Sequence, residues 1–98
     1  MITDGAVLGF DWDEGNRQKN WLGHRVSAKE CEEIFFDENK KIAEDSKHSV
    51  KEKRHLIIGK TRADRLLYAV FTVRKQKVRI ISARDLNKKE RHLYEKAT

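Results

Sequence analysis

Glu52, His24 and the arginines Arg54, Arg79 and Arg84 are the side chains here whose types and spacing suit chemistry. In Val78-Arg79-Ile80-Ile81-Ser82-Ala83-Arg84, strict alternation sends Val78, Ile80 and Ser82 one way and Arg79, Ile81 and Ala83 the other. An arginine in an otherwise apolar strand is costly to bury unless it is paired or meets an anion. Arg54 begins a second strand, Glu52 lies two residues before it on the same side, and Arg84 stands where the last strand exits. One carboxylate and two or three guanidinium groups around a concave sheet face suit metal-free RNA cleavage. The ribose 2′-OH attacks the neighbouring phosphate, so such a site needs a base, an acid for the leaving oxygen and cations for the developing charge. Arginine fits the last role because its planar fork grips two phosphate oxygens. Glu52 or His24 would move protons, and Tyr94 would donate a hydrogen bond or stack on a base.

The same residues also make sense as a structural ion-pair network of Glu52, Arg54 and Arg79. His24, His48, His55 and His92 lack metal-ligand spacing and one cysteine adds nothing, so neither metal nor cofactor is expected. His24 follows a helix end, where an imidazolium suits the dipole. His55 reads as a half-buried strand residue and His92 as a surface residue. Trp12 and Trp21 read as core residues, and Arg62, Arg65, Arg74, Lys75 and Lys77 as solvated turn charges. No Gly-rich phosphate loop or serine nucleophile motif is present.

Charge supports a polyphosphate partner. Residues 1–46 hold 6 Lys/Arg against 11 Asp/Glu, a net of −5, and residues 47–98 hold 16 against 5, a net of +11. Positive charge gathered on one half of a small domain makes a field suited to nucleic acid. With 98 residues, no proline and five glycines, a single domain over 1–98 with one modest core is expected. Met1 to Gly5 carry no basic n-region or apolar h-region, and no apolar run reaches membrane-spanning length. The expected location is the cytoplasm, without a membrane partner. Cys31 permits no intrachain disulfide and falls on an apolar stripe, so it reads as a core thiol.

The elements that must position these groups follow from pattern. Phe10 and Trp12 alternate with Asp11 and Asp13, a short strand. Asp13 caps a helix from about Glu14 to Leu22, closed by Gly23. Ser27-Ala28-Lys29-Glu30 is a capping box opening a second helix with the stripe Ala28, Cys31, Ile34 and Phe35. A weak strand follows at Lys40–Glu44, a polar loop at Asp45–Lys53, and strands at Arg54–Gly59, Leu66–Val73 and Val78–Ala83. The middle one is apolar on both alternations, hence central. Short connections favour antiparallel hairpins. Asn87-Lys88-Lys89-Glu90 caps a last helix through Tyr94, docked by Leu93 and Ala97. The expectation is an α+β domain, with helices on one side of the sheet and the other side open to a partner.

Phe10-Asp11-Trp12-Asp13, Asn20, His24, Val26-Ser27, Phe35 and Asp37 resemble the N-terminal half of BrnT-type toxins. The second half is closer: His48-Ser49, Glu52-x-Arg54, Gly59, and Arg79-Ile80-Ile81-Ser82-Ala83-Arg84 followed by Glu90-Arg91 and Tyr94. The resemblance covers roughly residues 10–95. It implies a RelE-like fold, with two N-terminal helices and a C-terminal helix on a mainly antiparallel sheet of about four to five strands. It also implies a type II toxin that inhibits translation by cutting RNA. Such a toxin is neutralised by a BrnA-type antitoxin, and operator DNA is met only through that antitoxin. The site residues implied are His24, Glu52, Arg54, Arg79 and Arg84, with Lys19, Lys53 and Tyr94 as RNA contacts. Many relatives have lysine at the positions of Asn16 and Gly23 and glycine at that of Arg25. The other readings are a non-catalytic nucleic-acid-binding or co-repressor module using the basic half, and a docking surface for an acidic partner segment.

Overall fold

The computed structural model describes residues 9–48 and 52–96. The elements are β1 (Gly9–Phe10), α1 (Glu14–His24), α2 (Ala28–Glu33), a 3-10 turn (Ile34–Phe36), β2 (Lys41–Glu44), a second 3-10 turn (Ser46–His48), β3 (His55–Lys60), β4 (Leu66–Arg74), β5 (Lys77–Asp85) and α3 (Lys88–Glu95). Part of the Asp45–Lys53 loop, and Ala97, lie outside the described residues.

Local sequence accounts for the helix starts. Asp13 accepts a hydrogen bond from the Asn16 amide at 2.7 Å, and Ser27 with Glu30 and Asn87 with Glu90 both form reciprocal capping boxes. α1 runs past Gly23 and stops only at Arg25, which takes φ 55 while its N–H bonds the Trp21 carbonyl at 2.8 Å. That left-handed position is the one where the resemblance places glycine in many relatives, the residue that meets no steric cost there. α2 is a single short helix, and its apolar stripe continues into the 3-10 turn, where Ile34 is fully buried.

The sheet order is β1-β5-β4-β3-β2, with β1 parallel to β5 and every other pair antiparallel. β4 is central, as its two-sided apolar pattern requires. The main core lies between the sheet and α2: Val26, Cys31, Ile34, Ile57, Leu67, Ala69, Phe71, Val78, Ile80 and Ala83. Phe35 bridges Phe10 and Phe71 by edge-on ring contacts at 5.3 and 5.0 Å. Burial pushes the Cys31 thiol up to about 12, so it is an inert core group.

Three expectations are corrected. The helices do not share one side of the sheet. Ile57 and Leu67 face α2, whereas their neighbours Ile58, Leu66 and Tyr68 pack with Leu86 and Tyr94 on the opposite face, beneath α3. Leu93 does not dock α3, since it is 53% exposed. Tyr94, one position further round, takes that role and donates its hydroxyl to Asp37 at 2.6 Å. Lys41 reinforces the contact: its Nζ donates to the carbonyls of Leu93, Tyr94 and Lys96, acceptors that a helix end otherwise leaves open. Trp21, expected inside, is 47% exposed, because α1 turns its neighbour Asn20 inward, at 3% exposure.

The most consequential departure is a β-bulge. Phe71 pairs with Ile80 but Val70 pairs with Ser82, so Ile81 is the extra residue of β5. Alternation resets there. Ala83 joins Val78 and Ile80 in the core, while Ser82 and Arg84 pair with Val70 and Tyr68 on the outer face. The freed Ile81 carbonyl accepts from Lys19 Nζ at 3.4 Å, as α1 lies along the edge of β5 beyond two-residue β1.

Candidate active site

The bulge places both strand arginines on the outer face. Arg79 pairs across to Thr72 and Arg84 to Tyr68, and successive even positions of β4 share that face. Continuing the β3–β4 register beyond His55–Phe71 sets Arg54 opposite Thr72. Arg54 and Arg79 thus flank the same central residue, with Cα positions about 10 Å apart, two strand spacings. Thr72 is itself buried, and its hydroxyl donates to the Lys53 carbonyl at 2.8 Å, which ties the segment carrying Glu52 and Arg54 to β4.

Glu52 receives two hydrogen bonds from Arg74, at 2.6 and 3.0 Å. That contact, aided by the charges of Arg74, Arg54 and Arg79 and opposed by slight burial, holds its carboxyl below the usual carboxylate range. Glu52 is therefore ionised at neutral pH and able to take a proton rather than give one, while its arginine contacts reduce its basicity. Arg79 is gripped from the other side. Its Nη2 donates to Asp13 at 2.8 Å and its Nη1 lies 3.7 Å from Asp11. The Asn16 amide and then Arg79 lower the Asp13 carboxyl. Glu52, Arg54, Arg74 and Arg79 form one electrostatically connected cluster at one end of the outer face.

The remaining expected residues do not join it. Arg84 shares the face but lies five residues along β5 from Arg79, about 15 Å at the strand rise. It forms a two-bond pair with Glu90 at 2.7 and 2.8 Å, and its guanidinium stacks 4.1 Å from the Tyr68 ring centroid. His24 is exposed at the end of α1, near Asp85, whose carboxyl is lowered first by its hydrogen bonds from Arg65 and also by His24. His24 and Glu52 accordingly sit towards opposite ends of β5. Arg65 fastens the His24 end: it donates to Asp85, Glu30 and the carbonyls of Arg25 and His24. Lys19 caps the bulge, and exposed Lys53 lies 4.0 Å from Glu44. Tyr94 is 9% exposed and committed to Asp37, so it does not offer its ring to a base. Burial and this bond push its hydroxyl up to about 12.

Several partners escaped the sequence reading. Arg74, expected as a solvated turn charge, is the main contact of Glu52. Its even spacing from Thr72 along β4 is the signal that could have revealed it. Asp11 and Asp13 pair with an arginine more than 60 residues away, which no local pattern encodes. Glu90, expected as a cap and as part of the motif that carries the resemblance, also holds Arg84.

The comparisons with known proteins concur with this fold. The model of the family described as ribonuclease toxin, BrnT, of type II toxin-antitoxin system matches residues 12–90, which sets the class: ribonuclease toxins of type II toxin-antitoxin systems. Within that class the chain belongs to the BrnT family. Membership makes it an endoribonuclease toxin, with RNA as substrate and an antitoxin as partner. The crystal structure of the Brucella abortus ribonuclease toxin, BrnT, is similar in fold, with TM-score 0.62 at 20% identity over 84% of this chain and 100% of that one. No curated protein matches the sequence.

Proposed function

We propose that this toxin cuts RNA at the Glu52–Arg54–Arg74–Arg79 cluster by attack of the ribose 2′-OH on its neighbouring phosphate. Glu52 takes the hydroxyl proton, the new 2′-oxygen–phosphorus bond forms as the P–O5′ bond breaks, and the departing 5′-oxygen takes a proton from water. Arg79 and Arg54, flanking Thr72, grip the phosphate oxygens as negative charge grows on them. Guanidinium groups supply the positive charge, so no metal ion is required in this mechanism. Arg84 and His24, further along β5, and Lys19 and Lys53 bind neighbouring parts of the RNA. What supports this reading is Arg79 opposite Thr72 on the outer face, with Arg54 and Arg79 both acting on the ionised Glu52 carboxylate.

The antitoxin in this reading is of BrnA type, operator DNA is contacted only through it, and the protein acts in the cytoplasm as one domain. Among the described residues no helix is long and apolar enough to cross a membrane. Incubation of purified protein with a defined RNA, with and without EDTA, tests the mechanism. Products ending in 2′,3′-cyclic phosphate in both samples, and their loss in Arg79→Ala at unchanged thermal stability, are expected. RNA binding without cleavage, or cleavage abolished by EDTA, overturns it.

A further inference from the structure

α1 is amphipathic in the wrong sense. Among its described side chains the buried one is Asn20, at 3% exposure, while Trp21, its largest apolar side chain, is 47% exposed. A helix packed only for stability would exchange them, since apolar residues normally form the inward stripe. Arg17 and Trp21 stand at i and i+4 on α1 and are both exposed, as is Arg25, the left-handed residue that ends the helix. The Arg25 guanidinium lies 5.5 Å from the centroid of the Trp21 ring, so the indole carries a cation beside it. This patch is also near the cluster described above. Asp13, the residue gripping Arg79, caps this helix, and Trp21 lies about 12 Å further along the axis at the helical rise.

We propose that Trp21 is a stacking platform for an unpaired base of the RNA substrate, with Arg17 and Arg25 meeting the phosphates on either side. This rests on the RNA-cleavage reading and extends it to a nucleotide away from the scissile bond. An exposed indole with a guanidinium beside it and a second arginine one turn back on the helix matches how single strands are held without sequence readout: aromatic faces for bases, cations for the backbone. The positive charge at the ring favours a polyanion over an apolar protein segment.

The test uses the full chain and a short single-stranded oligonucleotide with 2′-O-methyl riboses, which lacks the attacking hydroxyl. Binding is followed by anisotropy of a labelled oligonucleotide and by indole emission, to which only Trp21 and Trp12 contribute. Quenching of wild-type emission is expected with this oligonucleotide but not with an abasic one of equal length. Trp21→Ala should weaken binding about ten-fold, near the middle of the range for losing one base–aromatic stack, and Trp21→Phe by under about three-fold. Thermal melting confirms folding, and Phe36→Ala, which removes a different exposed aromatic, should bind like wild type. Oligonucleotide binding with unchanged emission, or full affinity in Trp21→Ala, overturns the platform and leaves the cleavage reading standing. Failure to bind, together with failure to cut RNA, overturns both.

Discussion

Thr72 and Lys53 are joined by a hydroxyl-to-carbonyl bond of 2.8 Å across two strands, and that bond sets where Glu52 and Arg54 stand. The threonine is 1% exposed, so no water replaces its donor if it is lost. Thr72→Val keeps the shape and removes the donor. It should lower stability by about 1 to 2 kcal/mol, the cost of an unmade buried hydrogen bond, measured by urea unfolding. Its cleavage rate should fall at least ten-fold under conditions where it remains folded, because the carboxylate and guanidinium lose their common anchor.

Arg74 should control the acid limb of the pH profile. Its hydrogen bonds depress the Glu52 carboxyl in the folded protein, and a base works only while ionised. Activity should therefore fall as pH drops through that depressed value. In Arg74→Ala the value rises toward the ordinary carboxylate range, so the acid limb should move to higher pH. Initial cleavage rates between pH 3 and 8 for both proteins check this.

Tyr94 should matter for folding rather than for RNA. Tyr94→Phe removes the donor to Asp37 but keeps the ring beneath α3. A loss of about 1 to 2 kcal/mol is expected, with oligonucleotide affinity at neutral pH unchanged in a folded sample. A large loss of affinity without a loss of stability would return the ring to the RNA.

Acid should unfold the protein through its paired carboxylates. Asp85 and Glu90 are lowered first by arginine contacts, and Asp37 is lowered because its hydrogen bonds outweigh burial. Each therefore binds protons more weakly when folded than at the ordinary 3.8 of Asp or 4.5 of Glu. Their stabilisation is fully present well above those values and is lost as pH falls through the depressed ones. Urea midpoints should decline gently from pH 7 to about 5.5, because burial makes the folded protein resist protonation of His55, and steeply below about 4 as the carboxylates protonate.

Gly59 is required by a close approach. A Cβ there would stand 2.9 Å from both the Cβ and the carbonyl oxygen of Ile34. Gly59→Ala should cost about 1 to 3 kcal/mol by overpacking, seen as a lower melting temperature.

Much of this architecture was legible because local signals agreed with tertiary ones. Asp13, Ser27 and Asn87 announced their helices, and the two-sided apolar run from Leu66 announced the central strand. What escaped depends on long-range contact. The strand from Lys77 to Asp85 contains no glycine or proline to betray a bulge, and the extra residue is stabilised by Lys19 from a distant helix. The face chosen by α3 depends on Asp37 and Lys41 reaching Tyr94 and the end of the helix. In the candidate site, the kinship of Glu52, Arg54 and Arg79 was readable from strand parity, whereas the separation of His24 from them required the path of α1 along β5.

The surplus residue at Ile81 also fixes which changes of length the last strand can absorb. Deleting it would leave Ile80 and Ser82 consecutive opposite the neighbours Phe71 and Val70, so Ser82 through Asp85 would keep their faces. Pairing that retained Ile81 but flattened the bulge would instead drive Arg84 among the aliphatic side chains beneath α2 and turn Ala83 out to where Tyr68 now stacks on a cation. A single lost codon at Ile81 would thus spare this end of the molecule, whereas flattening the bulge at full length would invert it.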